Sequence, residues 1–469
     1  LKVPPPKLLS VFILAALVYA LLAAFSYGDI IFHFELSRLT SFSDIETGKL
    51  ASPAGRDALM FLFAAALLYL YVQGFLLLKE SSLSKRTLMI LAAVLTTVVF
   101  FIMPFDSTDC SVYINSGWLQ AHYHLNPYAC SVTEVANWYH DPMLKQHWVQ
   151  APCVYGPLFA LLCQAVAFLG SGNYLCTVFI LKTINALCHL AITGMILFGI
   201  GKLQNEEQTV QSAYLYAFSP FMLMHEVGNA HNDILMDFCT CLAVVLWLNR
   251  RYLPVLFSFF AGVAIKYVSI VMLPGMFYLM LRRAGAKKTI VRLFLGLIPI
   301  ACLFYLYFSP MDLRHASAMF AVINLRRDSL RALVGMWQVP ALDSLLVVIL
   351  GAICLTIAIK RISGWRKIID EDLLVKQVLN DMVLFQILLV CLFSAHCESW
   401  YPAFFFPLAM FLPPQYRVRQ FSLLVTSMLV FSILWFGYPS TFMMTMFVFI
   451  AFVGSKLSAK LAWQDGSAA

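Results

Sequence analysis

From Leu8 to Tyr27 the chain carries no charged side chain, and comparable apolar runs recur along most of its length. They lie at about Ala58 to Leu78, Thr87 to Pro104, Thr289 to Phe308, Leu342 to Ile359, Phe421 to Phe436 and Thr441 to Val453. A run of about 20 apolar residues can cross a bilayer as a helix, and within lipid only helices and closed barrels satisfy their own backbone groups. These runs are continuous in Leu, Phe, Val and Ile rather than alternating over about ten residues, which argues for helices over a barrel. With 61% hydrophobic and 12% charged residues and a mean hydropathy of +0.81, an ordinary soluble domain is excluded. The expected fold is an all-α, polytopic integral membrane protein of a single membrane domain, residues 1–469. No cleavable signal peptide is expected at Leu8 to Tyr27, which lacks a small-residue cleavage site.

The net charge of +8 is explained by where the basic residues stand. Lys79, Lys85 and Arg86, then Lys202, Arg250 and Arg251, Arg282 and Arg283, Lys360 and Arg361, and Arg417 and Arg419 fit one consistent set of loops, which the positive-inside rule assigns to the cytoplasm. A topological excess of this kind calls for no nucleic-acid partner. With these anchors, Lys202 to Arg250 reads as a hairpin turning at Asn229 to Asp233, and Lys376 to Arg417 as another turning near His396 to Trp400. The shorter stretch from Arg251 to Arg282 reads as two short, broken helices meeting near Lys266. The total is about 14 crossings with both termini cytoplasmic. Residues 105–173 form an external loop with interfacial helices, including Tyr155 to Gly170, and residues 309–340 form an external basic loop.

Four polar knots, Asp106 to Asp109, His225 to Asp233, Lys266, and His396 to Glu398, all fall on the non-cytoplasmic side of this topology. Ionisable groups in such positions are costly unless paired or functional, so their convergence points to a site. Cys110, Cys130, Cys153 and Cys397 also fall outside, where two or four of them could form disulfides of undetermined connectivity. Histidines cluster on the same side, but no pair at i, i+4 joins an acidic third ligand on a clear helix. No cofactor is required by the sequence, and a divalent metal is left open.

The external segment has a distinctive pattern: Asp109, then Tyr113 and Gly117 at intervals of four, then Leu125, Asn126, Pro127, Tyr128, and Tyr155, Gly156, Pro157, Leu158. It is followed by Gly228 to Asp233, by Ala264, Ile265 and Lys266 before Leu273 and Pro274, and by Trp400 and Tyr401. This order resembles the polyprenol-phosphate-dependent mannosyltransferases of the GT-C superfamily, and most closely the bacterial alpha-mannosyltransferases that extend cell-envelope glycans. Ser111 stands where that family commonly has a tyrosine, and Glu398 has no counterpart in its pattern. The resemblance implies a GT-C-like bundle and a polyprenyl-phosphate sugar donor. It also implies a glycan or glycolipid acceptor, inversion at the anomeric carbon, and a site facing outward from the cell membrane.

The chemistry of the residues agrees independently. Glycosyl transfer from a phosphate needs a base for the acceptor hydroxyl and cations for the leaving phosphate. Asp109 is the candidate base, its alternative being a solvated loop acid or helix cap. Asp106 either caps the same turn or assists a metal or acceptor contact. Lys266 is the candidate phosphate partner, with a snorkelling or ion-paired lysine as its alternative. His231, Arg326 and Arg327 are further phosphate candidates, the two arginines lying in a loop that otherwise reads as a lipid-anchored interfacial segment. Candidate sugar or acceptor contacts are Tyr113, Asn126, Tyr128, Tyr155, His225, Glu226, Asn229, Asn232, Asp233, His396, Glu398, Trp400 and Tyr401. The competing readings are a secondary transporter or lipid flippase, and another envelope transferase using a lipid-linked donor.

Overall fold

The computed structural model describes residues 4–33, 53–81, 83–104, 107, 109–144, 149–308, 340–393, 398–431, 450 and 454–455. Asp106, Arg326, Arg327, His396 and Cys397 lie outside the described residues, as does nearly all of the expected basic loop. Among the described residues the protein is all-α, as its apolar runs require. In chain order the helices are α1 (Pro6–His33), α2 (Pro53–Lys79), α3 (Lys85–Phe100), α4 (Asp109–Ala121), α5 (Pro157–Gly170), α6 (Tyr174–Gly194), α7 (Glu206–Ala217) and α8 (Pro220–Gly228). They continue as α9 (Asp233–Leu248), α10 (Tyr252–Ile265), α11 (Leu273–Ala284), α12 (Ala286–Phe308), α13 (Pro340–Trp365), α14 (Glu371–Ile387) and α15 (Arg417–Leu429).

Several helix starts are written locally. Ser84 accepts the Thr87 N–H at 3.1 Å, Asn173 accepts the Cys176 N–H at 2.9 Å, and Asn205 and Gln208 form a capping box ahead of α7. Among the described residues six helices are long and apolar enough to cross a membrane, or seven if the bent pair α8 and α9 is one crossing. The reading of about 14 crossings also drew on shorter helices, such as the 14-residue α5 and α10, and on segments outside the described residues. Burial separates the roles of the long helices. Only 6% of the Leu345–Trp365 span and 11% of Ala286–Phe308 are buried within the protein, against 61% for Glu371–Leu392. Helices apolar on every side and so little covered by protein are those that face lipid.

Two breaks in the helical pattern position the polar centre. Helix α8 meets α9 at 115° across residues 229–232, and α10 ends where Lys266 turns extended, at φ −147° and ψ 120°, before a 3-10 stretch at Tyr267–Met272. Both breaks fall where the hairpin arithmetic places them. The expected second limb between Trp400 and Arg417 is different: it is a 3-10 turn at Tyr401–Phe404, a single helical turn at Phe406–Ala409 and irregular backbone. Pro402, Pro407, Pro413 and Pro414 account for this, since each removes a donor and three of them fall where a long helix would need one. Non-helical backbone survives within a membrane protein only when it is enclosed by protein. Here Phe404 to Leu412 are buried, and the Gln204 Nε2 donates to the Met410 and Leu412 carbonyls at 2.8 Å each.

Candidate active site

The site is assembled on one face of α4. Asp109 begins that helix, its N–H donating to the Ser107 hydroxyl at 3.1 Å, and Tyr113 and Gly117 follow one and two turns later. The Tyr113 hydroxyl lies 3.4 Å from Asp109 Oδ2 and 3.2 Å from Asn232 Oδ1, and accepts the Asn232 N–H at 3.3 Å. One phenol therefore joins two polar knots that are more than a hundred residues apart. Gly117 lets α5 approach, because a Cβ there would sit 2.2 Å from the Cys163 carbonyl oxygen.

The Tyr155, Gly156, Pro157 motif forms the second wall. The Tyr155 hydroxyl donates to Asp109 Oδ2 at 3.4 Å, while the Gly156 N–H donates to the Ile265 carbonyl at 2.9 Å, next to Lys266. A Cβ on Gly156 would lie 2.1 Å from the Ala264 oxygen, so only glycine permits this approach. Tyr128 and Asn126 stand behind this wall. The Tyr128 hydroxyl donates to the Tyr155 carbonyl at 2.7 Å, and Asn126 binds the Tyr128 N–H at 3.0 Å and the Tyr307 carbonyl at 2.7 Å. Their polar atoms are engaged with the backbone and not turned toward Asp109.

The turn between α8 and α9 supplies the floor. His231, Asn232 and Asp233 are fully buried, with Ala230 in the left-handed region at φ 60° allowing the reversal. His231 Nδ1 lies 3.6 Å from Asp109 Oδ2, and its ring stacks on Trp400 with centroids 4.4 Å apart. Asp233 forms an ion pair with Lys266, whose ammonium also sits 4.9 Å from the Tyr401 ring centroid and 4.5 Å from that of Phe404. Glu226 accepts the Ile234 N–H at 2.9 Å and so caps α9. The Asn229 side chain donates to the Met224 carbonyl at 3.0 Å, and His225 packs edge-on against Phe221 beneath the turn. Glu398 is buried beside Trp400 in sequence.

Two residues not anticipated from sequence hold this floor from below. Lys182 on α6 is fully buried and donates to the Ile102 carbonyl at 2.7 Å, the Val227 carbonyl at 2.8 Å and the Gly228 carbonyl. Asn185, one turn on, donates to the carbonyls of Glu226 and His231 at 2.8 and 2.7 Å. Lys182 ties together the ends of α3 and α8, where helix carbonyls lack partners. The signal was available in the sequence: a lysine in the middle of an apolar span, followed by polar residues at i+3 and i+7, is expensive unless it has a task.

The electrostatics single out Asp109. Burial would push its carboxyl up, but the adjacent His231, then the charge of Lys266 and the Ser107 hydroxyl, bring it below the ordinary carboxylate value. Burial and the Asp109 charge hold the Tyr155 phenol well above its ordinary value, so it remains a donor. The Asp109 side chain is 20% exposed and that of Lys266 16%, whereas His231 and Asp233 are at 0%. The two opposite charges that reach the opening therefore stand on a sealed polar floor. Within that floor His231 Nε2, Asn232 Nδ2, Asp233 Oδ2 and Glu226 Oε1 are buried without hydrogen-bond partners among the described residues. Such atoms are rare in folded proteins and are the kind a polar ligand satisfies.

Among the described residues no three His, Cys, Asp or Glu side chains converge in a metal-binding arrangement. Cys110, Cys130 and Cys153 are free thiols, with Cys110 and Cys153 buried in the packing of this region, so none of the three is bridged to another. Ser111, where the resembled family commonly has tyrosine, instead meets a phenol from α6, its hydroxyl 2.8 Å from that of Tyr174.

Comparison with known proteins bears on this same part of the chain. Alpha-(1->6)-mannopyranosyltransferase A of Mycobacterium tuberculosis is 23% identical over 249 residues, a stretch covering 52% of this chain and 44% of that protein. No solved structure matches. Residues 14–282, which include Asp109, Tyr155, the Asn229 to Asp233 turn and Lys266, match the family described as Alpha-(1->6)-mannopyranosyltransferase, N-terminal domain. With more than half its length matched, and with Asp109, the Asn229 to Asp233 turn and Lys266 inside the match, the chain belongs to the alpha-(1->6)-mannopyranosyltransferase family.

Proposed function

We propose that this protein is a glycosyltransferase that moves a hexose, mannose being favoured, from a polyprenyl-phosphate donor to a glycan or glycolipid acceptor at the outer face of the cell membrane. The observation that carries the reading is that two partly exposed, opposite charges, Asp109 beside His231 and Lys266 ion-paired with Asp233, both stand on one buried floor of unpaired polar atoms. The name of the mycobacterial relative supports the sugar. The basic residues at the far ends of α9, α10 and α11 support an outward-facing site.

In this reading the acceptor hydroxyl oxygen bonds to the anomeric carbon as the bond from that carbon to the phosphate oxygen breaks. The phosphate leaves with the electron pair, the hydroxyl proton passes to Asp109, and the anomeric centre inverts. Asp109 is ionised and ready for this, and Tyr113 and Tyr155 orient its carboxylate. Lys266 offsets the charge that develops on the leaving phosphate, while the buried Asp233 holds the ammonium at the opening. The rings of Trp400 and Tyr401 supply flat apolar surface for a sugar face. Asn232 and His231 brace this surface from beneath, through the Tyr113 hydroxyl and the Trp400 ring.

The test uses purified protein and a panel of radiolabelled polyprenyl-phosphate sugars. Wild type is expected to transfer one of them, with Asp109→Asn reduced by about 10²- to 10⁴-fold at an unchanged melting temperature. Equal turnover in the two proteins would remove Asp109 from the base role. Lys266→Ala is expected to lose binding of the polyprenyl phosphate; unaltered binding would discard that assignment.

A further inference from the structure

Helix α9 leads away from the Asp109 centre for 16 residues, about 24 Å, and α10 returns antiparallel to it. At their far ends, with the last turn of α11 and the first of α14, lies a cavity of about 410 Å³ that no step of the proposed reaction uses. We propose that it binds the phosphoryl headgroup of an anionic lipid. The proposal does not depend on the reaction assigned to the opposite end.

Three arginines, Arg250, Arg282 and Arg283, line the cavity with one acidic residue, Glu371. Arg283 is already committed: it lies over the Trp247 ring at 4.0 Å and forms an ion pair with Glu371. No carboxylate among the described residues pairs with Arg250 or Arg282. The arginines come from separate segments onto one small volume, where their mutual repulsion is relieved by an anion.

The backbone adds a second, independent observation. Arg250 sits at φ 60°, with its N–H donating to the Trp247 carbonyl and the Arg251 N–H to the Leu246 carbonyl, both at 2.9 Å. This is a helix-ending turn whose left-handed position glycine fills most easily. An arginine there gives up that ease at a position that lines the cavity. The choice of a lipid over a soluble phosphate rests on the rim: Ile369 is 92% exposed at the cavity's edge, an apolar lip beside the cationic wall. A charged cavity with an apolar lip at a helix end fits an amphiphile seated at the membrane boundary.

The full-length protein in detergent tests this with phosphatidylglycerol, phosphatidylcholine and inorganic phosphate as probes, read by native mass spectrometry and thermal melting. Wild type is expected to retain phosphatidylglycerol over phosphatidylcholine, and Arg250→Gly and Arg282→Gln each to weaken that retention about tenfold. Glu371→Gln, which removes the opposing charge, is expected to tighten it. Arg250→Gly separates binding from folding, because relief of the left-handed backbone should raise the lipid-free melting temperature while lipid retention falls. Equal retention of the two lipids, or unchanged retention when Arg250 and Arg282 are both replaced, overturns the proposal. Protection by inorganic phosphate equal to that by phosphatidylglycerol overturns the lipid assignment in favour of a soluble phosphate ligand.

Discussion

Replacing Gly156 by alanine adds one methyl group at the point where the external loop is joined to the Lys266 hairpin. The new carbon would lie 2.1 Å from the Ala264 oxygen and 2.4 Å from its carbonyl carbon, both backbone atoms that cannot rotate away. Restoring ordinary contact at 3.4 Å requires the two strands of backbone to part by more than 1 Å. The hydrogen bond from the Gly156 N–H to the Ile265 carbonyl, now 2.9 Å, is then lost or badly stretched. Overpacking of this kind costs about 1 to 3 kcal/mol. The functional cost is expected to be larger than the structural one. Tyr155 precedes the altered residue and touches Asp109, Lys266 follows Ile265, and a displacement of about 1 Å in a reacting pair can reduce turnover about 100-fold. The assay compares thermal unfolding in detergent with transfer from a radiolabelled polyprenyl-phosphate mannose. A modest fall in melting temperature with a loss of turnover near two orders of magnitude is expected. Wild-type turnover in Gly156→Ala would refute the reasoning, since it would mean that the spacing between Asp109 and Lys266 does not depend on this contact.

His231 is the neighbour that does most to draw the Asp109 carboxyl down against its burial. In His231→Gln the carboxyl should therefore rise, and if Asp109 is the base proposed above, active only when ionised, the acid limb of the kcat/KM profile should move to higher pH. In wild type the same depressed carboxyl contributes stability above its unfolded-state value of about 3.9, and that contribution is lost as pH falls through the folded-state value. An acid limb unmoved by His231→Gln would show that another group limits the rate. Lys182→Met leaves the carbonyls of Ile102, Val227 and Gly228 without their shared donor, and at about 1 kcal/mol for each lost partner the protein should be about 3 kcal/mol less stable. Unchanged thermal unfolding in that variant would mean that the carbonyls find other partners.

Much of the candidate site was legible because its residues break the rules of their surroundings. Asp109, the His225 to Asp233 segment and Lys266 are polar in stretches that are otherwise apolar, and their placement at one face follows from the basic residues at the other ends of the same helices. Roles within the cluster were less legible. Glu226 reads as a sugar contact but spends one oxygen capping α9, and Asn126 and Tyr128 read as part of the binding surface but brace the Tyr155 backbone from behind. Lys182 went unnoticed because its partners are carbonyls, which every residue carries and no sequence pattern marks. The limb between Trp400 and Arg417 was misjudged because length arithmetic counts residues and ignores that four prolines prevent a continuous helix there.

The order of residues by itself determined the solvent of this protein. Apolar runs of helical length commit the chain to lipid, since transfer of each side chain is nearly a property of that side chain alone. Only the tertiary structure decided which polar groups meet: that Tyr113 bridges Asp109 and Asn232, that Asp233 anchors Lys266, and that Arg250 joins Arg282 and Arg283 around one cavity. Those pairings depend on the breaks at residues 229–232 and at Lys266 and on the close approach at Gly156. Hydrogen bonds and ion pairs act over a few ångströms, so a centre built from segments far apart in the chain exists only once the helices have packed.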